Sequence, residues 1–157
     1  PSLAIVRAGR VSVGSSTYTF EPGPGTTLNV EIDFAEPGIG AESAHWAGGA
    51  AEFVGEIAWA RTFGFRRDAE RLRAAGRAGG VDPKSVMVLD DQGRVEPPGI
   101  PARPNEFARH KLLDLIGDLY LFGGPPAGHL SAGRPGHAAT HRAMQAARHE
   151  GLIAPIA

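Results

Sequence analysis

Along the first third of the chain apolar and polar residues alternate: LAIVRA (3–8), VSV (11–13), TYTFE (17–21) and TLNVEIDF (27–34), with Gly and Pro clusters between them. Side chains on a strand point alternately to its two faces, so a period of two predicts strands with one buried and one wet face. Four such segments in succession predict an antiparallel meander. From Gly49 the period lengthens. AAEFVGEIAWA (50–60) and RRDAERLRAAG (66–76) space their apolar residues three and four apart. That spacing predicts two helical segments flanking ARTFGF, the second ended by Gly76 as a C-cap.

SVMVLDDQG (85–93) reads as a short apolar strand running into a turn, and EPPGIPARP (96–104) holds too many prolines for a helix or central strand. A long helix is predicted over 106–122, capped by Asn105 and stopped by Gly123, Gly124 and two prolines. After a strand-like piece near 127–132, HAATHRAMQAAR (137–148) supplies a final helix. Strands first, then helices with strands among them, predict an α+β fold. The expected form is a two-layer sandwich, its mixed, largely antiparallel sheet covered by helices on one face.

Composition narrows the function classes. With 42% hydrophobic and 21% charged residues, the 157-residue chain can bury a core of its own, so one folded unit is expected. Sixteen Lys and Arg against seventeen Asp and Glu leave a net charge of -1. There is no overall basic field to hold nucleic acid or an anionic membrane, and a small molecule or a protein is the expected partner. The absence of cysteine excludes disulfides, thiolate zinc sites and thiol nucleophiles, so any metal site must use histidine and carboxylates. No apolar run approaches the roughly 20 residues of a membrane-spanning helix, and a soluble, cytoplasmic chain is expected. Its start at Pro1, directly before a strand-like segment, reads as a cut from something longer.

The helix EFARHKLLDLIGDLY (106–120) carries an unusual face. At 100° per residue His110, Asp114, Gly117, Asp118 and Leu121 fall on one stripe, bounded by leucines, isoleucine and aromatics. A histidine and an aspartate one turn apart can converge on a metal ion, and Gly117 leaves room beside them. The same stripe also fits the solvated side of an ordinary helix. His137 stands at a helix start in RPGHAA, where an imidazole suits acid–base work, or is simply an exposed first-turn residue. In ARTFGF, Thr62 and Phe63 could offer a ligand a hydroxyl and an aromatic wall, or form a staple around a turn. His45, His129, His141 and His149 read as surface or packing residues, Glu31 and Asp33 as the wet face of a strand. EPGPGT (21–26) reads as a turn, and no Gly-x-Ser-x-Gly elbow supports a serine hydrolase.

ARTFGFRRDAERLRAAG, VLDDQGRV, EFARHKLLDLIGDLYLFG and GRPGHA, in that order and spacing, resemble the second, C-terminal domain of the UDP-3-O-acyl-N-acetylglucosamine deacetylases, the zinc amidases of lipid A (lipopolysaccharide) biosynthesis. The resemblance covers about residues 3–148. It implies the committed step of that pathway: removal of an N-acetyl group from a UDP-linked, acylated glucosamine, with Zn2+ as cofactor. By position it makes His110 and Asp114 two of three protein zinc ligands and His137 the general acid. Asp118 becomes the carboxylate that orients His137, and Lys111 an active-site lysine. Thr62 becomes the donor to the developing oxyanion, with Phe63 in contact with substrate. Apolar residues after Phe65 would contribute to an acyl passage.

The resemblance also implies that the third ligand, a histidine, and the general base, a glutamate, belong to a preceding N-terminal domain. On this reading residues 1–157 are the second domain, with half an active site and little or no turnover alone. RAGGVDPKSV (77–86) is one residue shorter than the family pattern, and Thr140 stands where an asparagine is usual. Two alternatives are an inert relative serving as a binding or scaffolding domain and an unrelated metal hydrolase with a third ligand in this chain.

Overall fold

The alternating segments do become strands. A computed structural model describes residues 2–74, 82, 84–97 and 99–156. Strands β1 (Leu3–Ile5), β2 (Gly9–Val13), β3 (Ser16–Glu21), β4 (Thr26–Phe34) and β5 (Gly40–Trp46) come first. A helical turn α1 (Ala50–Glu52) continues as a π-helical turn (Phe53–Ile57). Then follow β6 (Thr62–Phe65), α2 (Arg66–Ala74), β7 (Val86–Leu89), α3 (Glu106–Tyr120), β8 (Gly128–Gly133), α4 (His137–His149) and β9 (Ile153–Pro155). Gly76 and most of the shortened segment 77–86 lie outside the described residues.

The main sheet has five strands in the order β2-β3-β8-β4-β5. β2–β3, β3–β8 and β4–β5 are antiparallel and β4–β8 is parallel. The simple meander is therefore corrected: β8 enters from the far end of the sequence and separates β3 from β4. The connection Pro22–Gly25 must then cross about 10 Å, two inter-strand spacings. EPGPGT, with its two prolines, gives that reach where a two-residue hairpin turn would not. At Gly128, which opens β8, φ is +117° and a Cβ would press on the Glu21 carbonyl and Ile5. Glycine is required there.

Inward residues of this sheet, Tyr18, Phe20, Leu28, Val30, Ile32 and Leu130, are almost wholly buried. They meet Leu112, Leu115 and Leu119 of α3 and Ala143, Met144 and Ala147 of α4 in one core. Outward positions such as Thr17, Asn29, Glu31 and His45 are half-buried or exposed, Glu31 and Asp33 among the exposed. The architecture is the expected α+β sandwich, with helices on one face. β1 and β9 form a separate antiparallel pair.

Two local expectations change. ARTFGF does lie between helical segments, but as a strand and not a bare joint: Thr62–Phe65 is paired in parallel with Val86–Leu89, α2 forming the crossover. Parallel neighbours need such a crossover, and two phenylalanines alternating with Thr62 and Gly64 suit a strand. The helix expected over 50–60 ends early and widens, the Ala58 N–H donating to the Phe53 carbonyl at 2.9 Å. Val54 and Gly55, poor helix formers, lie within that wide turn.

Asn105 marks the start of α3 without capping it. Its φ is +55° and its side chain makes no capping bond. Glu42 of β5 takes that role across the sheet–helix boundary, its Oε2 accepting the Ala108 N–H at 3.0 Å. The helix does stop at Gly123 and Gly124, both in the left-handed region.

Candidate active site

The polar stripe of α3 survives folding as a half-buried band beside β6. His110 is held from both sides. Its Nδ1–H donates to the Ala60 carbonyl at 3.2 Å, and its Nε2 lies 3.4 Å from Asp114 Oδ1. Two ligands held about 2.0–2.2 Å from a tetrahedral zinc stand roughly 3.3–3.5 Å apart. The observed separation matches that spacing. A metal-binding imidazole characteristically donates its other ring N–H to a carbonyl or carboxylate, which fixes the tautomer and leaves one lone pair for the ion. Ala60 is such a partner. His110 and Asp114 therefore fit a divalent cation chemically. Among the described residues no group of three or more His, Asp or Glu converges on a point, so two donors are what this part of the chain offers.

One helical turn further on, about 6 Å along the axis, Asp118 meets the other histidine. His137 Nδ1–H donates to both carboxylate oxygens, at 2.9 and 3.0 Å. Asp118 is 16% exposed and His137 69% exposed. The anchored edge of the imidazole is thus sheltered while its Nε2 faces outward. His137 reaches this place because Gly136 enters α4 in an extended conformation and leaves the histidine as first helical residue. A sheltered carboxylate, an oriented imidazole and an exposed nitrogen make a proton donor or acceptor directed at whatever lies over α3.

Lys111 and Phe63 close the other side. The ammonium is 3.5 Å from Asp114 Oδ2 and 5.9 Å from the Phe63 ring centre. That ring also stands edge-on to His110 at 6.3 Å and to Phe107 at 4.9 Å. Thr62 is exposed at the head of the same strand, two residues after Ala60. No hydrogen bond among the described residues ties its hydroxyl to the histidines. Of the residues singled out from sequence, His110, Lys111, Asp114 and Phe63 form one cluster, Asp118 and His137 a second beside it, and Thr62 borders the first.

Among the described residues none of the other four histidines is hydrogen-bonded to either cluster. His129 bonds to Thr27, His45 to Asn29 and His141 lies against Phe122. His149 is exposed at the end of α4. A cavity of about 480 Å3 lined by Thr17, Glu31, Asp33 and Arg134 contains none of the candidate residues. The candidate side chains of α3 are largely sheltered, His110, Lys111, Asp114 and Asp118 being 14–24% exposed.

Arg61 and Glu106 form a buried ion pair that no sequence pattern marks. Arg61 Nε and Nη2 donate to Glu106 Oε1 and Oε2 at 2.7 and 2.8 Å. Burial pushes the Glu106 carboxyl up. Arg61, together with the backbone N–H groups of Arg103 and Arg61, outweighs burial and holds it below the usual carboxylate range. An arginine and a glutamate 45 residues apart carry no local periodic signal, so only the fold reveals the pair.

The family model described as "UDP-3-O-acyl N-acetylglycosamine deacetylase" matches residues 2–148. A UDP-3-O-acyl-N-acetylglucosamine deacetylase of Myxococcus xanthus is 38% identical over 91% of this chain and 45% of its own length. Those of Anaeromyxobacter dehalogenans and Brucella ovis are 42% and 41% identical, over 80% and 92% of this chain and 40% and 50% of their own. The chain spans about half the length of these curated relatives or somewhat less.

Proposed function

The chain belongs to the UDP-3-O-acyl N-acetylglycosamine deacetylase family, and from that premise we propose that it supplies half of a zinc-dependent active site. That site removes the N-acetyl group from UDP-3-O-acyl-N-acetylglucosamine in lipid A biosynthesis. The observation that supports this reading is the double engagement of α3: His110 Nε2 3.4 Å from Asp114 Oδ1, and His137 on Asp118 one turn later. A scaffold has no physical need for two imidazoles, one from α3 and one from α4, oriented at carboxylates on adjacent turns of α3.

In this reading His110 and Asp114 hold zinc, which when bound polarises the amide carbonyl and supplies hydroxide near neutral pH. Asp118 fixes the His137 ring so that its Nε2–H faces the departing glucosamine nitrogen. Acid catalysis from such a group is worth about 10² to 10⁴ in rate. The Thr62 hydroxyl donates to the carbonyl oxygen as negative charge develops there. Lys111 adds positive charge beside Asp114, and the Phe63 ring gives the substrate an apolar wall. The third zinc ligand and the general base come from a second, N-terminal domain, consistent with two converging donors among the described residues and relatives about twice the chain's length. Alone, the chain binds zinc weakly and turns over little. No helix among the described residues is long and apolar enough to cross a membrane, in keeping with work in the cytoplasm.

The test expresses the complete reading frame and compares it with His110→Ala and His137→Ala. His110→Ala should lose zinc. His137→Ala should keep zinc and lose about 10² to 10⁴ in turnover. Wild-type deacetylation in both variants would remove this mechanism.

A further inference from the structure

Glu106 and Arg61 are the least accessible ion pair described in the protein, their side chains 1% and 10% exposed. Taking two charges out of water is costly, and well-packed apolar residues often serve stability as well or better. A pair kept at that cost invites a second role, and the hydrogen bonds indicate one. Glu106 Oε1 accepts from Arg61 Nε at 2.7 Å and from the Arg61 backbone N–H at 3.2 Å. Oε2 accepts from Arg61 Nη2 and from the Arg103 backbone N–H, both at 2.8 Å. Two further guanidinium hydrogens go to the Ile100 and Pro101 carbonyls at 2.9 and 3.1 Å.

The Arg61 N–H and the Ala60 C=O belong to one peptide group, and in a trans peptide they point in opposite directions. Glu106 binds the N–H end and His110 the C=O end. Glu106 and His110 are four residues apart on α3, hence on one face and about one turn from each other. A single peptide plane between the π-helical turn and β6 is therefore bracketed by two successive rungs of the helix. If that plane turned, His110 would lose the acceptor for its Nδ1–H, and with it the restraint that keeps Nε2 toward Asp114.

We propose that the Arg61–Glu106 pair is a positioning device for His110: it locks the 60–61 peptide, the peptide fixes the imidazole tautomer and direction, and the imidazole thereby presents Nε2 to the metal. The inference about the metal rests on the zinc reading above; the inference about the imidazole does not. Partners that orient a metal ligand from outside typically contribute 10- to 100-fold in metal affinity. Because Thr62 and Phe63 follow directly on the same strand, the lock also sets where the hydroxyl and the aromatic wall stand relative to α3.

The experiment uses the complete reading frame with two variants. Glu106→Gln keeps the shape and leaves the guanidinium without its counter-charge. Arg61→Met combined with Glu106→Leu replaces the pair by apolar volume, the change expected to preserve folding. Zinc affinity by chelator competition and the ring-nitrogen NMR signals of His110 are read in each. The expected result is a folded double variant with zinc affinity down about 10- to 100-fold and His110 no longer held as the single Nδ1–H tautomer. A folded double variant with unchanged affinity and an unchanged His110 signal overturns the proposal. So does failure of both variants to fold by near-ultraviolet circular dichroism, which assigns the pair a purely structural part. His110→Ala serves as control: if it binds zinc as the parent does, the zinc reading fails, while the tautomer signal still decides the positioning role.

Discussion

The hydroxyl pair beneath the entry to α4 offers a clean energetic test. Tyr18 is fully buried and Thr140 is 1% exposed, and their oxygens stand 2.9 Å apart. Tyr18→Phe leaves the Thr140 hydroxyl with a lost partner in a dry site, a loss of about 1–3 kcal/mol. Because that hydroxyl lies in the first turn of a helix and can bond back to the Gly136 carbonyl, the lower part of the range, about 1–2 kcal/mol, is expected. In a chain of this size the midpoint of thermal unfolding should fall by about 2–4 °C per kcal/mol. Thr140→Val should cost a similar amount. When both partners become apolar neither polar group is stranded, so the double variant should lose clearly less than the sum of the singles, with a coupling of about 1 kcal/mol. Urea unfolding of the four proteins measures this. Simple additivity, to within the ~0.3–0.5 kcal/mol expected of independent sites, would refute the reasoning.

Three further outcomes follow from the same geometry. Burial pushes the Tyr18 hydroxyl above its ordinary pKa, against the hydrogen bonds of Thr140, Gly136 and Ser16. Its contribution to stability is thus complete below the unfolded value of about 10 and declines as pH rises through the higher folded value, a decline that Tyr18→Phe should abolish in alkaline unfolding curves. Glu106, held low, stabilises fully above the unfolded carboxylate pKa of about 4.3 and loses that contribution as pH falls through its folded value. Glu42 is pushed up by burial, against the Ala108 and Phe107 N–H groups. Unfolding curves between pH 3 and 7 should therefore show Glu106→Gln destabilised most at neutral pH, by about 3–5 kcal/mol, and Glu42→Gln near neutral or stabilised. At Gly117 a Cβ would meet nothing within 4 Å, so Gly117→Ala should stabilise this chain by about 0.5–1 kcal/mol in urea.

Periodicity in the sequence settles which face of each element is buried. The inward set Tyr18, Phe20, Leu28, Val30 and Ile32 and the polar stripe His110–Asp114–Asp118 are legible because side-chain direction repeats every two residues in a strand and every 3.6 in a helix. Motif order suggested roles for Thr62, Lys111 and His137 through family resemblance, and the comparisons bear out the family. Partnership is another matter. Nothing local tells β8 to enter between β3 and β4, Glu42 to cap α3 in place of Asn105, or ARTFGF to pair with a strand beyond α2. Nor does any spacing bring the 60–61 peptide between Glu106 and His110. These arrangements join residues tens of positions apart, where each group's choice of neighbour depends on how the other elements have already used their hydrogen bonds and apolar surface. The sequence by itself determined the faces; the tertiary structure decided which faces, peptides and charges would meet.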